Sequence, residues 1–134
     1  MIDLTSLRSA LKSLDKASKR SLESPDDEEV RDAVIQRFEY CYELSWKMLR
    51  RKLKEDAATP EDVDRMSFKE LIREGAVRGF VENPEKWFEY REQRNIASHI
   101  YDEKKAKSVY KTAMQFLPDA QKLLDQLEAS LKSV

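Results

Sequence analysis

Leu4, Leu7, Leu11 and Leu14 recur at three- and four-residue steps, so each helical turn would return a leucine to the same side. The spacing comes back in Val30, Val34, Phe38, Cys41, Leu44 and Met48, with Leu49 and Leu53 beyond. It comes back again in Ala106, Val109, Ala113, Phe116 and Leu117, and continues through Leu123, Leu124, Leu127 and Leu131. A sheet protein of 134 residues would need many turns, yet there are only two Gly and four Pro. Leu, Ala, Lys, Glu and Arg dominate instead, the usage of helical proteins. The expected fold is all-α, an antiparallel bundle of about five helices with short connections. The length suits one domain over residues 1–134.

Local signals divide the chain. A first helix is expected over residues 5–22. Ser24-Pro25-Asp26-Asp27 ends it and opens the next, with Ser24 as N-cap and Pro25 at the first helical position. The second helix, over residues 25–54, carries aromatics on more than one side: Phe38, Tyr40, Tyr42 and Trp46. That argues for a central helix touching several neighbours or a partner chain. A polar connection over 55–65 holds a short turn opened by Thr59-Pro60. Ser67-Phe68-Lys69-Glu70 has the pattern of a capping box, and Gly79 closes the short helix that it starts. Asn83-Pro84 opens a helix with Trp87, Phe88, Tyr90 and Ile96. Asp102 caps the last one, which Pro118 should kink or divide.

Composition excludes several function classes. With 25 basic and 26 acidic residues the net charge is −1, so nucleic-acid binding would need a local basic patch. The run Lys47, Arg50, Arg51, Lys52, Lys54 is such a patch or simply a solvated helix end. The single cysteine, Cys41, rules out an intramolecular disulfide and fits a helix core. No apolar run of about 18 residues and no charged-then-apolar leader is present. A cytoplasmic protein without membrane contact is expected. One His and one Cys, with no HExxH or CxxC spacing, make a metal site improbable. There is no P-loop and no GxGxxG, and no cofactor is expected.

The one histidine lies in Arg94-Asn95-Ile96-Ala97-Ser98-His99-Ile100-Tyr101. These are the parts needed to cleave RNA by attack of a ribose 2′-OH on the neighbouring phosphorus. Histidine suits the proton transfers because its pKa of about 6.5 lies near working pH. Arginine stays protonated, and its planar fork matches phosphate oxygens. Asn95 and Ser98 could orient the phosphate or the imidazole. At roughly 100° per residue, Arg94 and Ser98 share one side of a helix, with Asn95 and His99 beside them. General acid and general base are two tasks, however, and there is one histidine. A homodimer with the site across its two-fold axis would supply two. The bland reading stands beside this one: the imidazole could cap carbonyls, and Arg94 could pair with Glu39, Glu43 or Glu92. Likewise the aromatics at positions 38, 40, 42, 46, 87, 88 and 90 read as core more readily than as a base-stacking platform.

Arg94-Asn95-x3-His99-x-Tyr101 resembles the R-polar-x3-H motif of HEPN domains, in the R-x4-H-x-Y form of the HepT toxins of MntA–HepT systems. Phe38-Glu39-Tyr40-x-Tyr42-Glu43-Leu44-Ser45-Trp46-Lys47 is similar to the F-E-x-x-x-E-L-x-W-K signature of small proteins labelled nucleotidyltransferase substrate-binding. Residues 67–79 and Trp87 also resemble that group, and the likeness runs from about Leu7 to Leu127. It implies a HEPN bundle that dimerises at the motif and pairs with a separately encoded small nucleotidyltransferase, an MntA-like antitoxin. It implies a type VII-like toxin–antitoxin pair in which Arg94 and His99, assisted by Asn95, form a metal-independent endoribonuclease site for RNA. Ser98, Glu39 and Glu43 would support that site, and Tyr101 would be adenylylated by the partner to silence it. The alternative under the same resemblance is a non-catalytic substrate-binding subunit of a two-component nucleotidyltransferase.

Overall fold

The structure is a computed structural model, and it describes residues 1–97 and 102–132. Six helices and no strand occur among them: α1 (Thr5–Glu23), α2 (Glu28–Asp56), α3 (Pro60–Asp64), α4 (Phe68–Val77), α5 (Pro84–Ala97) and α6 (Glu103–Lys132). Five are substantial and α3 is a single turn, so the all-α expectation holds. The helix α2 is central, packing on α1, α6, α5, α3 and α4. Leu7, Leu11 and Leu14 of α1 bury the stripe seen in the sequence, and Cys41 Sγ of α2 reaches Ala10 O at 3.2 Å. That contact, together with burial, makes Cys41 an inert packing residue; its thiol pKa is pushed up to about 12 by loss of solvent, against the pull of Arg37.

The aromatics expected as core divide into two sets. Phe38, Tyr42, Trp87 and Tyr90 are buried around Phe116 of α6, which meets all four rings at 5.2–6.4 Å between centroids. Tyr90 also donates its hydroxyl to Asp119. Trp46 and Phe88 are only half-buried, and Tyr40 is 59% exposed. Ile96 is 36% exposed and is not a core residue.

Two expectations at helix ends need correction. Ser24 does not cap α2: Ser24-Pro25-Asp26 is a turn closed by Asp27 N donating to Ser24 O, and α2 begins at Glu28. Asp27 is the N-cap, accepting from the Glu29 and Val30 amides, because its carboxylate also favours the positive helix end. Pro118 does not divide the last helix, since α6 runs unbroken from Glu103 to Lys132. The capping box at Ser67 and Glu70 is present in full. Asn83 Oδ1 accepts from Glu85 N, and Asp102 Oδ1 accepts from Lys104 N.

The exit from α4 depends on two glycines. Gly79 has φ +84°, and Phe80 N and Gly79 N donate back to Gly75 O and Ala76 O, a Schellman closure that glycine adopts without strain. Gly75 is needed for space: a Cβ there would lie 2.9 Å from Leu49 Cδ2 and 3.1 Å from Val81 Cγ2. Leu49 is fully buried, so its side chain must shift within the core to make room. Gly75→Ala should therefore destabilise by about 1 kcal/mol net, overpacking outweighing the better helix propensity. Urea unfolding would check this; a midpoint at or above that of the wild type would show the contact is relieved at no cost.

Candidate functional site

The helix α5 places Arg91, Arg94 and Asn95 at positions i, i+3 and i+4, so all three face the same way. They line a groove of about 370 Å³. Its other walls are Tyr42, Glu43 and Trp46 of α2 and the segment Met66-Ser67-Phe68 that enters α4. Local sequence explains the placement. Asn83-Pro84 starts α5, buried Trp87 and Tyr90 fix its rotation, and the arginines fall on the side that remains.

Arg94 is neither sealed in the core nor fully solvated; its side chain is 32% exposed. Of the three carboxylates that could pair with it, Glu43 does, with Oε1 at 3.2 Å from Nε. The contact is an ion pair without a hydrogen bond, because the buried Nε–H is not aimed at the oxygen. Glu43 is shared with Lys47 at 3.8 Å. Glu39 lies one turn earlier on α2, half-buried, and burial holds its carboxyl above the usual range while Arg94 pulls it down. Burial likewise pushes the Tyr42 phenol up. Glu92 is exposed. Ser98, His99 and Tyr101 lie outside the described residues.

The basic run of α2 is largely occupied with structure. Arg50 and Lys54 both reach Asp64 Oδ1, at 2.8 and 3.0 Å, tying α2 to α3. Lys52 is buried and pairs with Asp56 at 3.2 Å. Only Arg50 of that run lines the groove. Among the groove residues that sequence reasoning did not assign to the site are Arg91, Phe68 and Ser67. Arg91 was legible in principle, because it precedes Arg94 by three. Phe68 and Ser67 were not, since they arrive from a separate helix start. Three arginines and an amide facing two carboxylates make a groove suited to an anionic ligand with several oxygens, such as a phosphodiester. A larger cavity of about 660 Å³ lies between the α1–α2 turn and α6, bordered by Leu22, Pro25, Tyr110 and Met114. Among the described residues no cluster of three or more His, Cys, Asp or Glu is placed to hold a metal ion, and no helix is long and apolar enough to cross a membrane.

Comparisons with known proteins agree on a family. The model of nucleotidyltransferase substrate-binding-protein-like chains matches residues 2–129. A Haemophilus influenzae protein named "Probable ribonuclease HepT" is 44% identical over 94 residues, which cover 70% of this chain and 64% of that relative. The match thus spans less than two thirds of that relative's length. A solved Haemophilus influenzae structure, described as revealing the fold of a substrate-binding domain of a nucleotidyltransferase, superposes with a TM-score of 0.89. Identity there is 35%, covering 94% of this chain and 99% of the other. A Thermus thermophilus crystal structure gives a TM-score of 0.74 at 26% identity, covering 90% and 98%. With the all-helical fold and these matches agreeing, the chain belongs to the nucleotidyltransferase substrate-binding-protein-like family.

Proposed function

We propose that this chain is a HepT-like toxin: a single HEPN-like domain that acts in the cytoplasm as a metal-independent endoribonuclease, within a type VII-like toxin–antitoxin pair. The observation that carries the reading is the position of Arg94. It stands partly exposed in a groove beside Asn95 and Arg91, where a phosphate can reach it. The name of the Haemophilus relative supports the same reading. In the proposed reaction the ribose 2′-OH attacks phosphorus and the bond to the 5′ oxygen breaks. His99 of one protomer takes the 2′ proton, and His99 of its partner protonates the leaving oxygen. Arg94 holds the added negative charge of the phosphorane, and Asn95 orients the phosphate. The products are a 2′,3′-cyclic phosphate and a 5′-OH. The chain should cut RNA in excess EDTA and leave those ends, and a folded His99→Ala variant should not. Equal cutting by both would sink the proposal.

Silencing would act through Tyr101. Adenylylation of Tyr101 by a separately encoded nucleotidyltransferase would add a bulky anion two residues from His99. Co-expression with that partner, which would transfer the adenylyl group of ATP to the phenol oxygen and release pyrophosphate, should add the mass of AMP less one water to the Tyr101 peptide; a peptide that stays unmodified removes this limb and leaves the nuclease reading intact. A second reading, a non-catalytic substrate-binding subunit, is favoured by the family description and by the solved Haemophilus fold. It predicts that the chain binds the nucleotidyltransferase but leaves RNA whole.

A further inference from the structure

Among the described residues, cation–aromatic contacts are not scattered. The four fall on one surface: Lys47 over Trp46, Arg91 over Phe68, and Lys69 and Arg73 over Phe88. The rings also touch one another in sequence. Trp46 meets Phe68 edge-on at 6.2 Å between centroids, and Phe68 meets Phe88 at 6.4 Å. The result is a continuous line from α2 across the start of α4 to α5. Its inner end is the groove itself, since Trp46, Phe68 and Arg91 line that cavity beside Arg94. Lys69, Arg73 and Arg91 are exposed, and none is in an ion pair among the described residues. This contrasts with Arg50 and Lys54, both spent on Asp64.

An unpaired arginine usually samples many rotamers, and ordering it on a ligand costs entropy. Here the ring faces hold the cations in place, with the guanidinium and ammonium N–H groups left for an outside acceptor. A chain whose net charge is −1 has no general attraction for polyanions, so a fixed row of unneutralised cations is a local feature with a direction.

We propose that Lys69, Arg73 and Arg91, carried on Phe88 and Phe68, form a phosphate track that binds the RNA strand beyond the cleaved bond and leads it to Arg94. This rests on the ribonuclease reading for the identity of the polyanion. The track is a binding element, and none of its three cations takes part in the bond-breaking step.

The test uses the full chain carrying His99→Ala, so that RNA is bound and not cut, with a fluorescein-labelled single-stranded 20-mer as probe. Combining Lys69→Ala, Arg73→Ala and Arg91→Ala should weaken binding at least about tenfold at physiological salt. It should lower the slope of log affinity against log salt by about 2, roughly 0.7 for each lost phosphate contact. Phe88→Leu should weaken binding less and leave the slope unchanged, because the charges remain while their support is lost. Lys12→Ala, Lys16→Ala and Lys19→Ala, on the exposed side of α1, should change neither. With His99 intact, the track variants should raise KM and leave kcat alone. Parent-like affinity and slope in the triple variant overturn the track while leaving cleavage untouched. Retained RNA binding with lost retention of an acidic protein partner overturns it in favour of a protein interface. A chain with His99 intact that binds through the track but never cuts leaves the track standing and overturns the nuclease reading instead.

Discussion

Arg94→Ala should lower the rate of RNA cleavage by roughly 100- to 1,000-fold, the usual cost of removing one donor that meets charge developing in a transition state. The structure adds a reason to expect the loss in kcat. Arg94 already rests against Glu43 at 3.2 Å, so its position is set before substrate arrives and needs little reorganisation. Arg94→Lys keeps the charge but not the planar fork, and should fall between wild type and alanine. His99→Ala should lose as much or more, because acid–base catalysis contributes about 10²–10⁴-fold and a two-fold site would use the same residue for both tasks. That arrangement has its own signature. A mixed dimer of one wild-type and one His99→Ala protomer should be nearly inactive, whereas two independent sites would leave half the activity. The measurement is single-turnover cleavage of a labelled RNA in EDTA, with circular dichroism to establish folding. A folded Arg94→Ala protein that cuts at the wild-type rate would remove Arg94 from the mechanism.

Phe116→Ala should be the most damaging change to stability, at about 3–5 kcal/mol. Phe116 is fully buried on α6 and contacts Phe38 and Tyr42 of α2 and Trp87 and Tyr90 of α5. Truncation opens a void where three helices meet, and these rigid rings cannot collapse into it. A domain of this size is stable by only about 5–15 kcal/mol in total, so the loss is a large share of it. Urea denaturation should show a lower midpoint with an unchanged slope. Val77→Ala, at a site 80% exposed, should stay within about 0.5 kcal/mol of wild type. If Phe116→Ala moved the midpoint no further than Val77→Ala, the aromatic cluster would not be the centre of the core.

The two predictions differ in how far they could be read without a structure. Helix type and the buried stripes were legible because they depend on spacing along one chain. Leu7, Leu11 and Leu14 are buried where their period places them, and Ser67 with Glu70 forms the box that its spacing announces. The start of α2 was misplaced because Ser24 and Asp27 are both good caps, and only the turn geometry chooses between them. Pro118 does not divide α6, which carries on past it with Phe116 and Ala120 buried on either side.

For the candidate site, the sequence alone determined the family signatures, the all-helical class and the grouping of Arg94 with Asn95 on one helix face. These are properties of residues a few positions apart, which helical periodicity converts directly into geometry. Tertiary structure decided the rest. It chose Glu43 over Glu39 and Glu92 as the partner of Arg94, took Arg50 and Lys54 out of play by pairing them with Asp64, and brought Phe68 from a distant helix start beneath Arg91. No local pattern encodes such choices, because they depend on how α2, α4 and α5 are rotated about their axes. That rotation is set by which large side chains, Phe38, Trp87, Tyr90 and Phe116, must share one core.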